Sequence, residues 1–99
     1  ITNFYIIPML NPDGVILGNS RCSASGRDLN RVFPNSDREL FPEIHILKSF
    51  TQKFLASKEI FLYFDFHGHS KKKNTFFYGP SYPLVSPNYL KCRVLPRMI

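Results

Sequence analysis

The sequence has 99 residues, which is enough for one small domain or for part of a larger one. Hydrophobic residues make up 43% of the chain, with ten Phe and five Tyr, and this excludes an intrinsically disordered protein. Thirteen Lys and Arg against seven Asp and Glu give a net charge of +6, which favours acidic partners.

No apolar run approaches the roughly 18 residues of a membrane span, and no basic start precedes an apolar segment as in a signal peptide. We therefore expect neither a membrane anchor nor a secretory signal. The chain starts on a strand-like segment and ends inside a helix-like one, which predicts an excerpt of a larger domain. Cys22 and Cys92 have no metal-type spacing, so we expect free thiols of a reducing compartment.

The first predicted element is a buried strand over residues 3–9, which are mostly apolar and aromatic. Pro8 weakens this prediction near the end of the run, because proline cannot donate to a ladder. Asn11-Pro12-Asp13-Gly14 then predicts a turn, since proline fixes φ and glycine accepts a positive φ.

A long segment without clear periodicity follows, from Val15 to Phe41. A loop of this length in a compact domain is usually functional or disordered. Arg21, Arg27 and Arg31 stand among short polar residues, and a guanidinium can hold a carboxylate with two hydrogen bonds. The residues alone leave two interpretations open: an anion-binding loop or a solvated basic loop.

A helix is predicted over residues 42–57, with proline in its first turn and an apolar stripe of Ile44, Leu47, Phe50 and Phe54. A second buried strand is predicted over 60–66, ending at His67. A short third strand is predicted over 75–78. A helix that Pro96 interrupts is predicted from Asn88 onward.

Strand, long loop, helix and strand form a βαβ pattern, which predicts parallel, neighbouring strands at 3–9 and 60–66. The expected fold is α/β: an incomplete part of a mixed, mostly parallel sheet with flanking helices. In such a sheet the arginine loop and His67 would leave the same edge, where ligands bind. Residues 1–99 are predicted to be one partial domain, without repeats or a second domain.

Taken together, the motifs are more specific than any one of them. In chain order they are Asn11-Pro12-Asp13-Gly14, Gly18-Asn19-Ser20-Arg21-Cys22-Ser23, Gly26-Arg27-Asp28-Leu29-Asn30-Arg31 and Asp65-Phe66-His67-Gly68-His69-Ser70, with Asn74 and Phe77-Tyr78-Gly79 behind them. This ordered set resembles the zinc metallocarboxypeptidases (M14), and within them the cytosolic branch that removes glutamates from tubulin and other proteins.

The resemblance implies a role for each matching residue. His67 is similar to the third zinc ligand, and Arg21 to the arginine that polarises the scissile carbonyl and supports the oxyanion. Asn30 and Arg31 resemble the pair that binds the substrate's terminal carboxylate. Asp28 resembles a carboxylate that orients a zinc-bound histidine. These assignments suit the chemistry, because zinc takes imidazole ligands and a fixed arginine stabilises a developing oxyanion.

The departures from the family pattern leave the zinc site incomplete. No HxxE pair, which supplies the family's first two zinc ligands, occurs in these residues, and no counterpart of the general-base glutamate is found. The expected cofactor is therefore Zn²⁺, bound by the parent protein rather than by this piece alone. His69 is expected to be a loop histidine lining the cleft, and Lys71-Lys72-Lys73 either attracts acidic tails or forms a solvated turn.

The resemblance predicts a cytoplasmic zinc carboxypeptidase that acts on C-terminal or branch glutamates of proteins such as tubulin. Acidic peptides or polyglutamate tails are the expected partners, and nucleic acid and membranes are not. Stacking on nucleic-acid bases would require aromatic residues interleaved with basic ones, whereas the aromatic residues here lie in apolar segments. The alternative is a non-catalytic basic module that binds acidic protein tails.

Overall fold

The computed structural model describes residues 2–99 of the chain. It divides into two compact units, one running up to Tyr63 and the other from Phe64 to Ile99. The helices are α1 (Pro12–Ile16), a 3-10 helix (Leu29–Arg31), α2 (Pro42–Leu55) and α3 (Asn88–Met98). The first three belong to the first unit, and α3 belongs to the second.

Helix α1 replaces the turn predicted at residues 11–14. The side chain of Asn11 accepts a hydrogen bond from the backbone N–H of Gly14, which caps the first turn, and Pro12 occupies a position where no N–H is needed. The helix ends before Gly18, whose φ of +75° is strained for any residue with a Cβ. The residues predicted to form a turn therefore cap and begin a short helix.

Helix α2 confirms the longest predicted helix, with its end at Leu55 rather than at residue 57. Ile44 and Leu47 of the predicted stripe are buried, while Phe50 and Phe54 pack against the ring of Tyr5 with centroids 5.9 and 4.7 Å apart. Near the middle of the helix, Lys48 Nζ donates to the carbonyl oxygen of Phe33 at 2.7 Å. The helix is thus held at both ends of its apolar face.

The core of the first unit is small and lies where the loop meets α2. Its buried side chains come from the 3-10 helix, from the residue after it and from the start of α2, and Leu10 and Phe33 pack against them. These buried residues are Leu29, Val32, Phe41 and Ile44. The long segment in which the sequence shows no periodicity therefore supplies much of the core.

The predicted sheet is wrong. No residue between 2 and 99 lies in a β-strand, so neither the strands at 3–9, 60–66 and 75–78 nor a mixed parallel sheet is formed. Phe4, Phe61 and Phe66 in the first two segments are 85%, 92% and 91% exposed. The physical reason is that a strand needs a neighbour to pair with its backbone N–H and C=O groups, and an apolar run does not specify that neighbour.

Among the described residues of the second unit, α3 is the helix. The helix begins at Asn88 as predicted but continues through Pro96 to Met98. Pro96 lies in the last turn, so it removes one hydrogen bond near the helix end without breaking the helix before it. None of the helices in the described part of the chain combines the length and the apolar character needed to cross a bilayer.

Candidate functional site

The arginine loop is held in place by asparagine side chains. Asn11 Nδ2 and Asn19 Nδ2 both donate to the carbonyl oxygen of Cys22, at 3.1 and 3.2 Å. A backbone hydrogen bond of 2.9 Å from Ser23 N to Arg27 O closes the next turn of the loop. The loop is therefore ordered by side-chain to backbone hydrogen bonds, which leave no periodic pattern in the sequence.

Gly14 is required where α1 meets this loop. A Cβ added at Gly14 would lie 2.5 Å from the carbonyl oxygen of Cys22 and would also clash with the side chain of Asn11. Both groups take part in the hydrogen bonds that fix the loop. A side chain at this position would consequently separate α1 from the residue next to Arg21.

We expect Gly14→Ala to lower the free energy of unfolding by about 1–3 kcal/mol, as overpacking does elsewhere. The measurement is thermal unfolding followed by circular dichroism. Gly79→Ala is the matched control, because nothing lies within 4 Å of a Cβ at that glycine. Equal unfolding midpoints for Gly14→Ala and the unchanged chain would contradict the close approach.

Asp28 is the central acceptor of the arginine loop. Its Oδ2 accepts from Arg21 Nε at 2.7 Å, and its Oδ1 accepts from the backbone N–H of Asn30 at 2.9 Å. The Arg21 hydrogen bond holds the pKa of this carboxyl below its usual 3.8, and the Asn30 N–H acts in the same direction. Any stabilisation of the folded state by these hydrogen bonds is therefore fully present above the pKa that Asp28 has in the unfolded chain. It is lost as the pH falls through the lower pKa that Asp28 has in the folded chain.

The 3-10 helix presents the two residues predicted to bind a carboxylate. Leu29 and Val32 on either side of them are buried, whereas Asn30 and Arg31 are exposed. Arg31 Nη1 makes one long contact of 3.4 Å, to the carbonyl oxygen of Asn30. The buried neighbours thus anchor the turn while the guanidinium of Arg31 faces solvent.

His67, the predicted zinc ligand, belongs to the second unit. Its Nε2 lies 2.7 Å from Asp65 Oδ2, and both side chains are about half exposed. No separate role is predicted for Asp65 from the sequence, although the Asp-x-His spacing could have suggested that it pairs with His67. A carboxylate beside an imidazole fixes its tautomer and orientation, as it does behind many metal-bound histidines.

The residues of the described chain do not make a zinc site by themselves. Within residues 2–99, no group of three or more His, Cys, Asp and Glu side chains could hold a metal ion. Arg21, Asp28, Asn30 and Arg31 are brought together in the first unit, and His67 is in the second. The parallel sheet that was expected to place them at one edge is absent from the described residues.

His69 shapes the lysine turn. Its Nδ1 accepts from the backbone N–H groups of Lys71 and Lys72 at 3.1 and 2.9 Å, so the neutral ring carries its proton on Nε2. Lys72 Nζ lies 4.8 Å from the ring centroids of both Phe76 and Tyr78. The turn is therefore built by specific contacts; the prediction that His69 lines a cleft stays a prediction.

Similarity to known proteins identifies the family. The model of the zinc carboxypeptidase family, peptidase M14, matches residues 1–98. The chain belongs to the zinc carboxypeptidase family. It is 47% identical over 96 residues to cytosolic carboxypeptidase 2 of Danio rerio, covering 97% of this chain and 13% of that protein.

Two further relatives come from the same group. Cytosolic carboxypeptidase 3 of Bos taurus is 44% identical over 97 residues, covering 97% of this chain and 10% of that protein. Cytosolic carboxypeptidase 1 of Gallus gallus is 56% identical over 79 residues, covering 79% of this chain and 6% of that protein. The chain thus spans about a tenth of the length of the curated relatives it matches. No solved structure matches it.

Proposed function

We propose that this chain is the substrate-binding part of a zinc-dependent metallocarboxypeptidase that removes glutamates from protein C-termini or from glutamate branches, as on tubulin. The observation that carries the proposal is the loop in which Asp28 joins Arg21 to the turn bearing Asn30 and Arg31. Two guanidinium groups on one loop, of which that of Arg21 is held by Asp28, suit a substrate with a carbonyl to polarise and a terminal carboxylate to bind.

In this proposal Arg21 acts on the scissile carbonyl. Its Nε is taken by Asp28, and its guanidinium has no other partner among the described residues, so Nη1 and Nη2 are free to donate to an oxyanion. Asn30 and Arg31 bind the terminal carboxylate, which a guanidinium recognises with two parallel hydrogen bonds. The backbone of the 3-10 helix holds these two side chains next to each other.

Zinc is proposed as the cofactor of the complete protein, with His67 as one of its ligands. The family supports zinc, whereas the described residues supply no complete ligand set. Acidic peptides and polyglutamate tails are proposed as substrates because the chain carries a net charge of +6. A cytoplasmic location is proposed from the relatives named cytosolic carboxypeptidases.

The second candidate is a non-catalytic basic module that binds acidic protein tails, which the net charge of +6 favours. The deciding experiment is to incubate the complete protein with peptides ending in several glutamates, with and without a zinc chelator. Chelator-sensitive release of free glutamate supports the enzyme. Binding of the same peptides without release of glutamate supports the module.

Arg31→Ala should raise KM for glutamate-ended peptides by about tenfold to a hundredfold, as the loss of a charged hydrogen bond predicts. The value of kcat should change much less, because the carboxylate contact exists before reaction. The measurement is steady-state kinetics on peptides with a free C-terminal carboxylate. Peptides with an amidated C-terminus are the control, and an equal KM effect on both would contradict the role.

A further inference from the structure

Two asparagine side chains hold the backbone that follows Arg21. Asn11 is the N-cap of α1, and Asn19 comes after the end of the same helix. Both donate from Nδ2 to the carbonyl oxygen of Cys22, at 3.1 and 3.2 Å, and Asn19 Nδ2 also donates to the carbonyl oxygen of Ser23 at 3.3 Å. Side chains from the two ends of α1 thus fix the peptide groups next to Arg21.

Asn19 is itself held against α1. Its backbone N–H donates to the carbonyl oxygen of Gly14 at 2.8 Å, and Gly18 before it turns the chain with a φ of +75°. The side-chain amide therefore extends from a fixed main chain to the segment that carries Arg21. Asn19 is exposed, so it makes these hydrogen bonds without being part of the buried core.

We propose that Asn19 is a positioning residue for Arg21, because it fixes the backbone from which the guanidinium extends. This inference rests on the proposed function and adds a residue to it. A side chain as long as arginine turns a small rotation of its main chain into a larger displacement of the guanidinium. A misplacement of about 1 Å near the reacting atoms can lower the rate by about a hundredfold. Hydrogen bonds that form on folding place the arginine before the substrate binds.

Two substitutions of Asn19 test this role. Asn19→Ala removes the amide, whereas Asn19→Asp keeps its shape and replaces the donor by a carboxylate oxygen, which cannot donate to a carbonyl. Asn11 keeps its own hydrogen bond to Cys22 in both variants, so the loop should be retained. Asn35→Asp is the matched control, because Asn35 is an exposed asparagine of the same unit whose hydrogen bonds within the described chain involve only its backbone.

In the complete zinc-loaded protein we expect both Asn19 variants to lower kcat on glutamate-ended peptides by about tenfold to a hundredfold. KM should stay within about twofold, since the side-chain hydrogen bonds of Asn19 reach Cys22 and Ser23 rather than the 3-10 helix. Asn35→Asp should leave both constants unchanged. Adding Asn19→Ala to Arg21→Ala should lower kcat no further than Arg21→Ala alone, because Asn19 acts through Arg21.

The same kinetics can overturn the positioning role. A loss of kcat that adds to that of Arg21→Ala would mean that Asn19 supports the loop as a whole. A raised KM with unchanged kcat would assign Asn19 to substrate binding. A loss in Asn19→Asp without one in Asn19→Ala would be an effect of the new charge. Wild-type kcat in both variants would remove the role altogether.

A measurement without catalysis tests the hydrogen bonds themselves. Hydrogen bonding moves the magnetic resonance signal of a carbonyl carbon downfield, so the carbonyl signals of Cys22 and Ser23 should move upfield in Asn19→Ala and stay in place in Asn35→Asp. If the wild-type protein releases no glutamate, the proposed function fails while these signals still test the contact. Carbonyl signals that do not move in Asn19→Ala would refute the contact, and the inference with it, whatever the activity.

Discussion

Replacing Arg21 by alanine in the complete protein should lower kcat by about 10²–10³-fold, with kcat/KM falling in parallel. The reason is that Arg21 is proposed to meet a negative charge that exists only while the carbonyl is under attack. Its guanidinium is already held by Asp28 at 2.7 Å, so no reorganisation is needed at that moment. Release of glutamate from an acidic peptide, followed at several substrate concentrations, measures both constants.

Arg27→Ala is the matched control for Arg21→Ala. Arg27 lies in the same loop, but it contributes its backbone oxygen to the fold, which accepts from Ser23 N–H at 2.9 Å. Alanine keeps that oxygen, so the loop should be retained and kcat should change by less than about twofold. If Arg27→Ala is as damaging as Arg21→Ala, the loop acts as a diffuse basic patch, and the binding module gains support.

The second large effect is expected at His67. In the complete protein, His67→Ala should remove bound zinc and peptidase activity together. The loss of zinc affinity should exceed the roughly 10–100-fold that is typical when a residue hydrogen-bonded to a metal ligand is replaced. The basis is the resemblance of the Asp65–His67 segment to the family's third ligand and the 2.7 Å contact that orients the imidazole. Metal content after dialysis and glutamate release are measured on the same samples.

His45→Ala serves as the control for a lost imidazole. His45 lies in the first turn of α2, away from the lysine turn and the arginine loop in sequence, and no metal role is predicted for it. Zinc content and activity should therefore be retained in His45→Ala. A His67→Ala protein that keeps its full zinc content would show that other ligands hold the metal.

Helix α2 shows what sequence patterns determine well. Pro42 at its start and apolar residues at helical spacing predicted the element, and the structure buries Ile44 and Leu47 on that face. Helical hydrogen bonds form within the segment itself, so local sequence carries the information. The strands predicted at 3–9 and 60–66 are not formed, because the hydrogen bonds of a strand depend on a neighbouring strand that an apolar run does not specify.

For the candidate site too, the sequence predicts some features and not others. The residue types of the arginine loop, together with the family resemblance, point to Arg21, Asp28 and the Asn30–Arg31 pair from sequence alone. The contact between Arg21 and Asp28 could not be predicted, since it depends on how Asn11 and Asn19 fold the intervening loop. The catalytic and binding roles of these residues stay predictions until the kinetic experiments are done.

The small core of the first unit has a consequence for how the chain folds. Its four buried residues, Leu29, Val32, Phe41 and Ile44, all lie between positions 29 and 44, so the contacts join residues that are close in sequence. Closing such short loops costs little chain entropy, and proteins dominated by local contacts fold quickly. We therefore expect this segment to become ordered first, and the amides of α2 that pack on it to exchange most slowly with solvent.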